Sequence, residues 1–273
     1  MPVPPRPPFS ALPLDPNGPA GNAWGLYDGD DDALGALNML TPEVVSAAAA
    51  SQIRSGLRVS LDWPLNKPYF PSFGRNAFQH KIESRLRTTA ETEDQRSQWD
   101  GFRHYGYQKA KVFYNNKTQE EVESSDVLGI DAWVAHGGIV GRGVLLDYAG
   151  YAERHGITLD HFSPSGIPVE HLKEVVREQG VTFEPGDIVL IRVGFTVAYD
   201  TLTREEQMEL PFREVPAFMG LSPTKGVPIG EMFDLEALRT QCVVHNRWTF
   251  FYASMPPRVP GSVASPPNAI AVF

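Results

Sequence analysis

Apolar residues recur along the chain in short runs whose spacing switches between the two-residue period of a strand and the 3.6-residue period of a helix. Thr41-Pro42-Glu43, followed by Val44, Val45 and four alanines, predicts a helix with Thr as N-cap, Pro in the first helical position and Gly56 as its close. Leu57 to Asp62 alternates as a half-buried strand should. Val127 to His136 reads as helix ending at Gly137-Gly138, and Gly143 to Asp147 as a buried strand. Pro168 to Gln179 predicts a further helix ended by Gly180. After the turn Pro185-Gly186-Asp187, the run Ile188 to Val193 is continuously apolar apart from Arg192, the pattern of a strand buried on both faces. A helix around Met232 to Gln241 then leads into an aromatic strand, Trp248 to Tyr252. Strands and helices interleave without a repeat or a splitting linker, which predicts one layered α/β or α+β domain.

Composition sharpens this picture. With 42% hydrophobic and 11% aromatic residues, 273 residues can bury a large core, which excludes a disordered chain or a disulfide-knit miniprotein. Gly and Pro, 24 each, demand many turns and argue against a long helical bundle. The formal charge of −9 without a basic cluster gives no counterion-release advantage on nucleic acid or an anionic membrane, so neither is an expected partner. The single cysteine, Cys242, allows no intrachain disulfide and no thiolate cage, which fits a reducing compartment. No apolar run approaches the roughly 20 residues of a membrane helix. The opening Met1-Pro2-Val3-Pro4-Pro5 lacks the basic and apolar regions of a secretory leader. The placement expected is cytoplasmic. Residues 1–23 carry eight prolines and read as an extended arm ahead of a domain over 24–273. That arm is either a strap on its own domain or a neighbouring copy, or, through Pro2, Pro5 and Pro8, a PxxP ligand.

Chemistry concentrates in Ser97-Gln98-Trp99-Asp100-Gly101-Phe102-Arg103-His104. If this segment is extended, Gln98, Asp100, Phe102 and His104 share one face. An amide, a carboxylate and an imidazole together either hold a hard or borderline metal or let Asp100 orient His104 as a general base; the plainer alternative is a His-Asp pair satisfying a hydrogen bond. His80 follows an aromatic-rich stretch and could line a pocket. His136 suits the negative end of its helix, and His155, His161 and His171 lie in polar surroundings without metal spacing. Asp30-Asp31-Asp32 lacks the distal glutamate of a calcium loop and reads as a solvated loop or helix start. The glycines of 138–143 precede a strand, whereas phosphate loops need them between a strand and a helix. Glu231 sits where an extended segment approaches a helix and could serve as a cap.

These residues carry a resemblance. Gln98-Trp99-Asp100-Gly101-Phe102-Arg103-His104, Asp62-Trp63-Pro64-Leu65, Pro71 to Arg75, Gly129 to Trp133, Gly141 to Asp147, Gly186 to Arg192, Pro228 to Glu231 with Leu235 to Leu238, and Ser262 to Phe273 together resemble the cyclase family that includes kynurenine formamidase and isatin hydrolase. They are closest to its fungal branch, and the likeness runs over roughly residues 20–273.

The resemblance implies a swivelling β/β/α single domain with a mixed sheet and flanking helices. It also implies a homo-oligomer and a hydrolase of small formamides, cyclic amides or lactones, as in arylformamidases of tryptophan catabolism or in secondary metabolism. Carried over residue by residue, Asp100 matches a metal-binding aspartate, His104 the proton-transfer histidine and Glu231 a late glutamate. Two histidine ligand positions fall on Asp94 and Gln98. The implied cofactor is a divalent metal (Mn, Zn or Mg) on Asp94, Gln98, Asp100 and Glu231, a harder donor set than that of the zinc enzymes. Trp99, Phe102, Arg103 and His80 are the implied pocket lining for a small-molecule substrate.

One departure is marked. The family's remaining histidine would precede Glu231 by about a dozen residues, yet no histidine occurs between His171 and His245, and the connection from Leu221 to Lys225 is short. That leaves two other readings open. One is a metal-independent cyclase or dehydratase using Asp100 and His104. The other is a catalytically impaired remnant of the family.

Overall fold

The computed structural model describes residues 6–27, 32–71, 78, 99–163, 166–210, 225–266 and 268–273. The first predicted helix is α1 (Pro42–Gln52), where Thr41 Oγ1 accepts the Val44 N–H at 3.4 Å. It stops before Gly56, whose N–H instead bonds Phe273 O at 2.7 Å and ties the exit of α1 to the last strand.

Five strands form the main sheet in the order β1 (Arg58–Ser60), β8 (Ile270–Val272), β6 (Thr249–Ser254), β3 (Ile139–Asp147) and β4 (Ile188–Arg192). All neighbours run antiparallel except β3 and β4, which are parallel. That parallel pair requires a crossover, supplied by α4 (Tyr148–Arg154) and α5 (Val169–Gln179), with Gly180 ending α5 in the left-handed region at φ 63°. Val144 and Leu146 of β3 pack with Tyr148, Tyr151 and Val175 of these helices. On the opposite face Leu145, Leu190, Phe250, Tyr252 and Ala271 form the larger core with Leu40 and with Leu238 and Cys242 of α8 (Glu236–Val244). Gly143 lies opposite Phe250, and a Cβ there would come within 2.2 Å of the ring, so the glycine is a space requirement.

A smaller sheet has β2 (Trp99–Asp100) at its centre, flanked antiparallel by β5 (Ile229–Gly230) and β7 (Ala264–Ser265). Short helices α2 (Gln119–Ser124), α3 (Asp131–His136), α6 (Phe195–Thr201) and α7 (Arg204–Glu209) complete the described elements. The architecture is the single mixed-sheet α/β domain with flanking helices that the sequence predicts. Within the segment read as an arm, the Asn22 amide donates to Asp15 O and Pro19 O at 2.7 and 2.8 Å, and just after it Trp24 is buried in the main core.

Three expectations are corrected. Among the described residues β4 pairs with β3 alone and ends the sheet, and only its Leu190 face is covered, leaving Val189 and Ile191 46% and 38% exposed on the other. The helix expected from Val127 begins at Asp131, since Leu128 sits at φ 61° in an Asp126–Gly129 turn. The helix expected from Met232 begins at Glu236: Met232 has φ 62°, and Asp234 Oδ1 takes the Glu236 N–H at 3.1 Å.

One charged group closes the carboxyl ends of β3 and β4. Arg192 donates to both carboxylate oxygens of Glu236 at 2.9 and 2.6 Å and to Asp147 Oδ1 at 2.7 Å. Arg239 Nε reaches Asp147 Oδ2 at 3.4 Å, and the Gly150 N–H reaches Oδ1 at 3.1 Å. Burial works against the Arg192 charge, but the two carboxylates more than offset it and hold its pKa above the usual guanidinium value. The signal for this group is a charge at the end of each apolar strand, Asp147 and Arg192, which pattern reading passes over.

Candidate functional site

The site is built on β2. Its first residue, Trp99, is buried, stands edge-on to Trp133 and Phe233 at 6.4 and 5.6 Å, and donates its indole N–H to Ser254 Oγ of β6 at 2.9 Å. Trp99 thus fastens the small sheet to the large one. Asp100 follows, opposite Ile229 and Ala264 and 4% exposed.

The two-residue period ends there. Gly101 N–H bonds Val263 O at 3.0 Å, and a Cβ at Gly101 would meet Ile130 Cγ1 at 2.7 Å and Val263 O at 2.8 Å. The chain then turns, with the His104 N–H returning to Gly101 O at 3.0 Å. This corrects the expected extended face through residues 98–104, because the close approach of Ile130 and Val263 lets the strand end and a turn begin. The pairing survives by another route: the turn places His104 Nε2 3.5 Å from Asp100 Oδ1, with the imidazole 22% exposed and the carboxylate 6% exposed. Phe102, expected on the same face, is instead fully buried between Tyr114 and Trp133 at 5.0 and 5.4 Å. Arg103 is spent on backbone carbonyls, described below.

Glu231 is one residue beyond β5. Ile229 pairs with Asp100, so Glu231 follows directly on the strand that borders Asp100. The N-cap of α8 is Leu235, without a side-chain cap, and just ahead of it Asp234 Oδ1 accepts the Glu236 N–H at 3.1 Å. Beneath Phe102, Tyr114 donates to Asp32 Oδ2 at 3.0 Å. Burial first, and the Asp32 carboxylate second, push the Tyr114 phenol well above its ordinary value, so this hydroxyl stays protonated and serves as a fixed donor. Asp32 is no solvated loop acid: Oδ1 accepts the N–H groups of Leu34 and Gly35 at 2.9 and 3.1 Å.

Asp94, Gln98 and His80 lie outside the described residues, as do Asp30, Asp31 and residues 221–224 of the short connection. His245 stacks on Phe273 at 5.2 Å, His155 pairs with Glu178 at 2.6 Å, and the His171 Nδ1 meets the Tyr148 hydroxyl at 3.2 Å. His136 is the last residue of α3. Among the described residues, no group of three or more His, Cys, Asp or Glu side chains can hold a metal ion. Asp100 and Glu231 are two carboxylates, short of an ion's needs by themselves. No helix among the described residues is long and apolar enough to cross a membrane.

In this mixed-sheet α/β domain a buried carboxylate thus stands against a part-exposed imidazole at a turn, two groups able to exchange a proton. The sequence model of the family described as "Putative cyclase" matches residues 42–227, and the chain belongs to that Cyclase family. A solved structure described as the crystal structure of a novel cyclase superposes with a TM-score of 0.77 and 27% identity, covering 92% of this chain and 99% of its own. No curated protein matches the chain.

Proposed function

We propose that the chain is a hydrolase of a small formamide, cyclic amide or lactone, an arylformamidase-like enzyme of tryptophan catabolism or of fungal secondary metabolism. It would work in the cytoplasm as a homo-oligomer. The observation that carries this reading is the Asp100–His104 pair, a carboxylate buried against an imidazole that retains access to solvent. The buried carboxylate lies within ion-pairing distance of the ring and would favour its protonated form during turnover. His104 then accepts the proton of the attacking water and returns it to the departing nitrogen or oxygen, so that the carbonyl–nitrogen or carbonyl–oxygen bond breaks with no net proton change on the enzyme. Family membership supports the same assignment.

The divalent ion belongs to the proposal as well, with Asp94, Gln98, Asp100 and Glu231 as its donors. The described donors do not make an ion site on their own, so no step is routed through it. The absence of a histidine between His171 and His245 favours the second reading, a metal-independent cyclase or dehydratase in which Asp100 and His104 supply all the acid/base work.

The test is turnover of N-formylkynurenine, formanilide, a cyclic amide and an aromatic lactone by purified protein, with Mn²⁺ and with a chelator, beside His104→Ala. The reading expects hydrolysis of at least one substrate, reduced about 10²-fold or more in His104→Ala. Turnover indifferent to the chelator selects the second reading. Equal activity in His104→Ala rejects both.

A further inference from the structure

We propose that Arg103 is the positioning residue of this site: its guanidinium, spread over the carbonyls of Val122, Ser125 and Gly261, fixes the turn that delivers His104 to Asp100. The inference rests on His104 as the proton carrier and assigns Arg103 to backbone rather than substrate.

Nη1 donates to Gly261 O at 2.8 Å, and Nη2 donates to Ser125 O at 3.0 Å and to Val122 O. Nε finds no acceptor among the described residues, so every partner of Arg103 seen here is a main-chain carbonyl. These carbonyls belong to two separate segments. Val122 and Ser125 lie at the carboxyl end of α2, where a cation is favoured by the helix dipole. Gly261 belongs to the loop that enters β7, and β7 pairs with Asp100 through Ala264. The same loop receives the Ile130 N–H on Ser262 O at 3.1 Å and gives the Gly261 N–H to Asp131 Oδ1 at 2.9 Å.

Arg103 therefore stands between the strand holding Asp100 and the residue holding the imidazole, and bolts that corner to both flanks. The job suits a planar fork; a lysine ammonium is a point donor and cannot span carbonyls from two segments. With the fork removed, the turn that sets His104 Nε2 3.5 Å from Asp100 Oδ1 loses its tie to both flanking segments. A displacement of about 1 Å in a catalytic group costs roughly 100-fold in rate.

The experiment compares wild type, Arg103→Ala, Arg103→Lys and Gly261→Ala by the imidazole Cε1–H resonances of the full chain. The His104 signal is assigned with His104→Gln. Arg142→Ala serves as control: it removes another arginine bonded to a loop carbonyl, Thr182 O at 2.8 Å, away from the site. Gly261→Ala acts on the clamp from outside, because a Cβ there would stand 2.7 Å from Arg103 Nη1 and 2.5 Å from Asp126 Oδ1.

The proposal expects the His104 resonance to move in both Arg103 variants and in Gly261→Ala, and to stay in place in Arg142→Ala. Where turnover is measurable, kcat falls about 100-fold with KM held within about two-fold, and lysine does not rescue. An unmoved His104 signal in folded Arg103→Ala overturns it. If neither Arg103 variant folds, Gly261→Ala decides by the same signal. Absence of turnover in wild type counts against the hydrolase reading alone, since the resonance reports position without substrate.

Discussion

Replacing Arg192 by Met removes the cation that joins the ends of β3 and β4 to the start of α8. In the native protein Arg192 makes three charge-assisted hydrogen bonds, two to Glu236 and one to Asp147. The cost is unequally shared. The Glu236 side chain is 29% exposed and recovers water, so its loss is worth about 1 kcal/mol or less. The Asp147 side chain is 2% exposed and keeps the Gly150 N–H and the long ion pair with Arg239 at 3.4 Å, so its buried charge is only partly compensated and the loss is about 3 kcal/mol, the low end for a broken buried pair. Urea denaturation followed by far-UV CD and tryptophan fluorescence measures the sum as a lowered midpoint at constant slope. Asp147→Asn in the Arg192→Met background removes the stranded charge and should return at least half of the loss. Arg192→Met within about 1 kcal/mol of wild type, or a double variant no more stable than the single, would refute the claim that the buried Asp147 charge dominates.

Two shorter predictions bear on burial and on the site backbone. Cys242 is fully buried and its thiol is pushed up to about 12 by desolvation, so its thiolate population is negligible at pH 8. Labelling by a disulfide reagent at that pH should await unfolding and speed up as urea is added; fast labelling of native protein contradicts the assigned burial. Met232, next to Glu231, sits at φ 62°, so Met232→Gly should be more stable than Met232→Ala by about 1 kcal/mol in the same urea assay, a comparison in which both variants lack the side chain.

How much of this was legible in the residues depends on what kind of contact fixes each element. α1 could be read because Thr41 and Pro42 act within one turn of themselves, and β3 because its Val-Leu-Leu run is buried on both faces, as its composition demands. β4 has nearly the same composition but lies at the sheet edge, a matter of strand order that no local pattern contains. The early helix starts expected at Val127 and Met232 failed on single positive-φ residues, Leu128 and Met232, where apolar periodicity is blind to backbone handedness.

At the site, Asp100 and His104 could be picked out by residue type, but the reason offered, a shared strand face, was not the one the fold uses. The turn after Gly101 follows from the approach of Ile130 and Val263, about 30 and 160 residues away in sequence. The hold of Arg103 on residues 122, 125 and 261 leaves no trace in the sequence, since every acceptor is a peptide carbonyl, a group that each residue carries alike.

The account stands on Asp100 and His104 working as one unit, and a double-mutant cycle in kcat/KM measures that directly on whichever substrate the wild type turns over. Asp100→Asn and His104→Ala should each be severe, and the double variant should be no slower than His104→Ala within about three-fold, because an orienting carboxylate has nothing left to orient. Losses that multiply, the double variant falling by the product of the two single effects, would show that the two side chains act independently and would contradict the pair as the centre of the site.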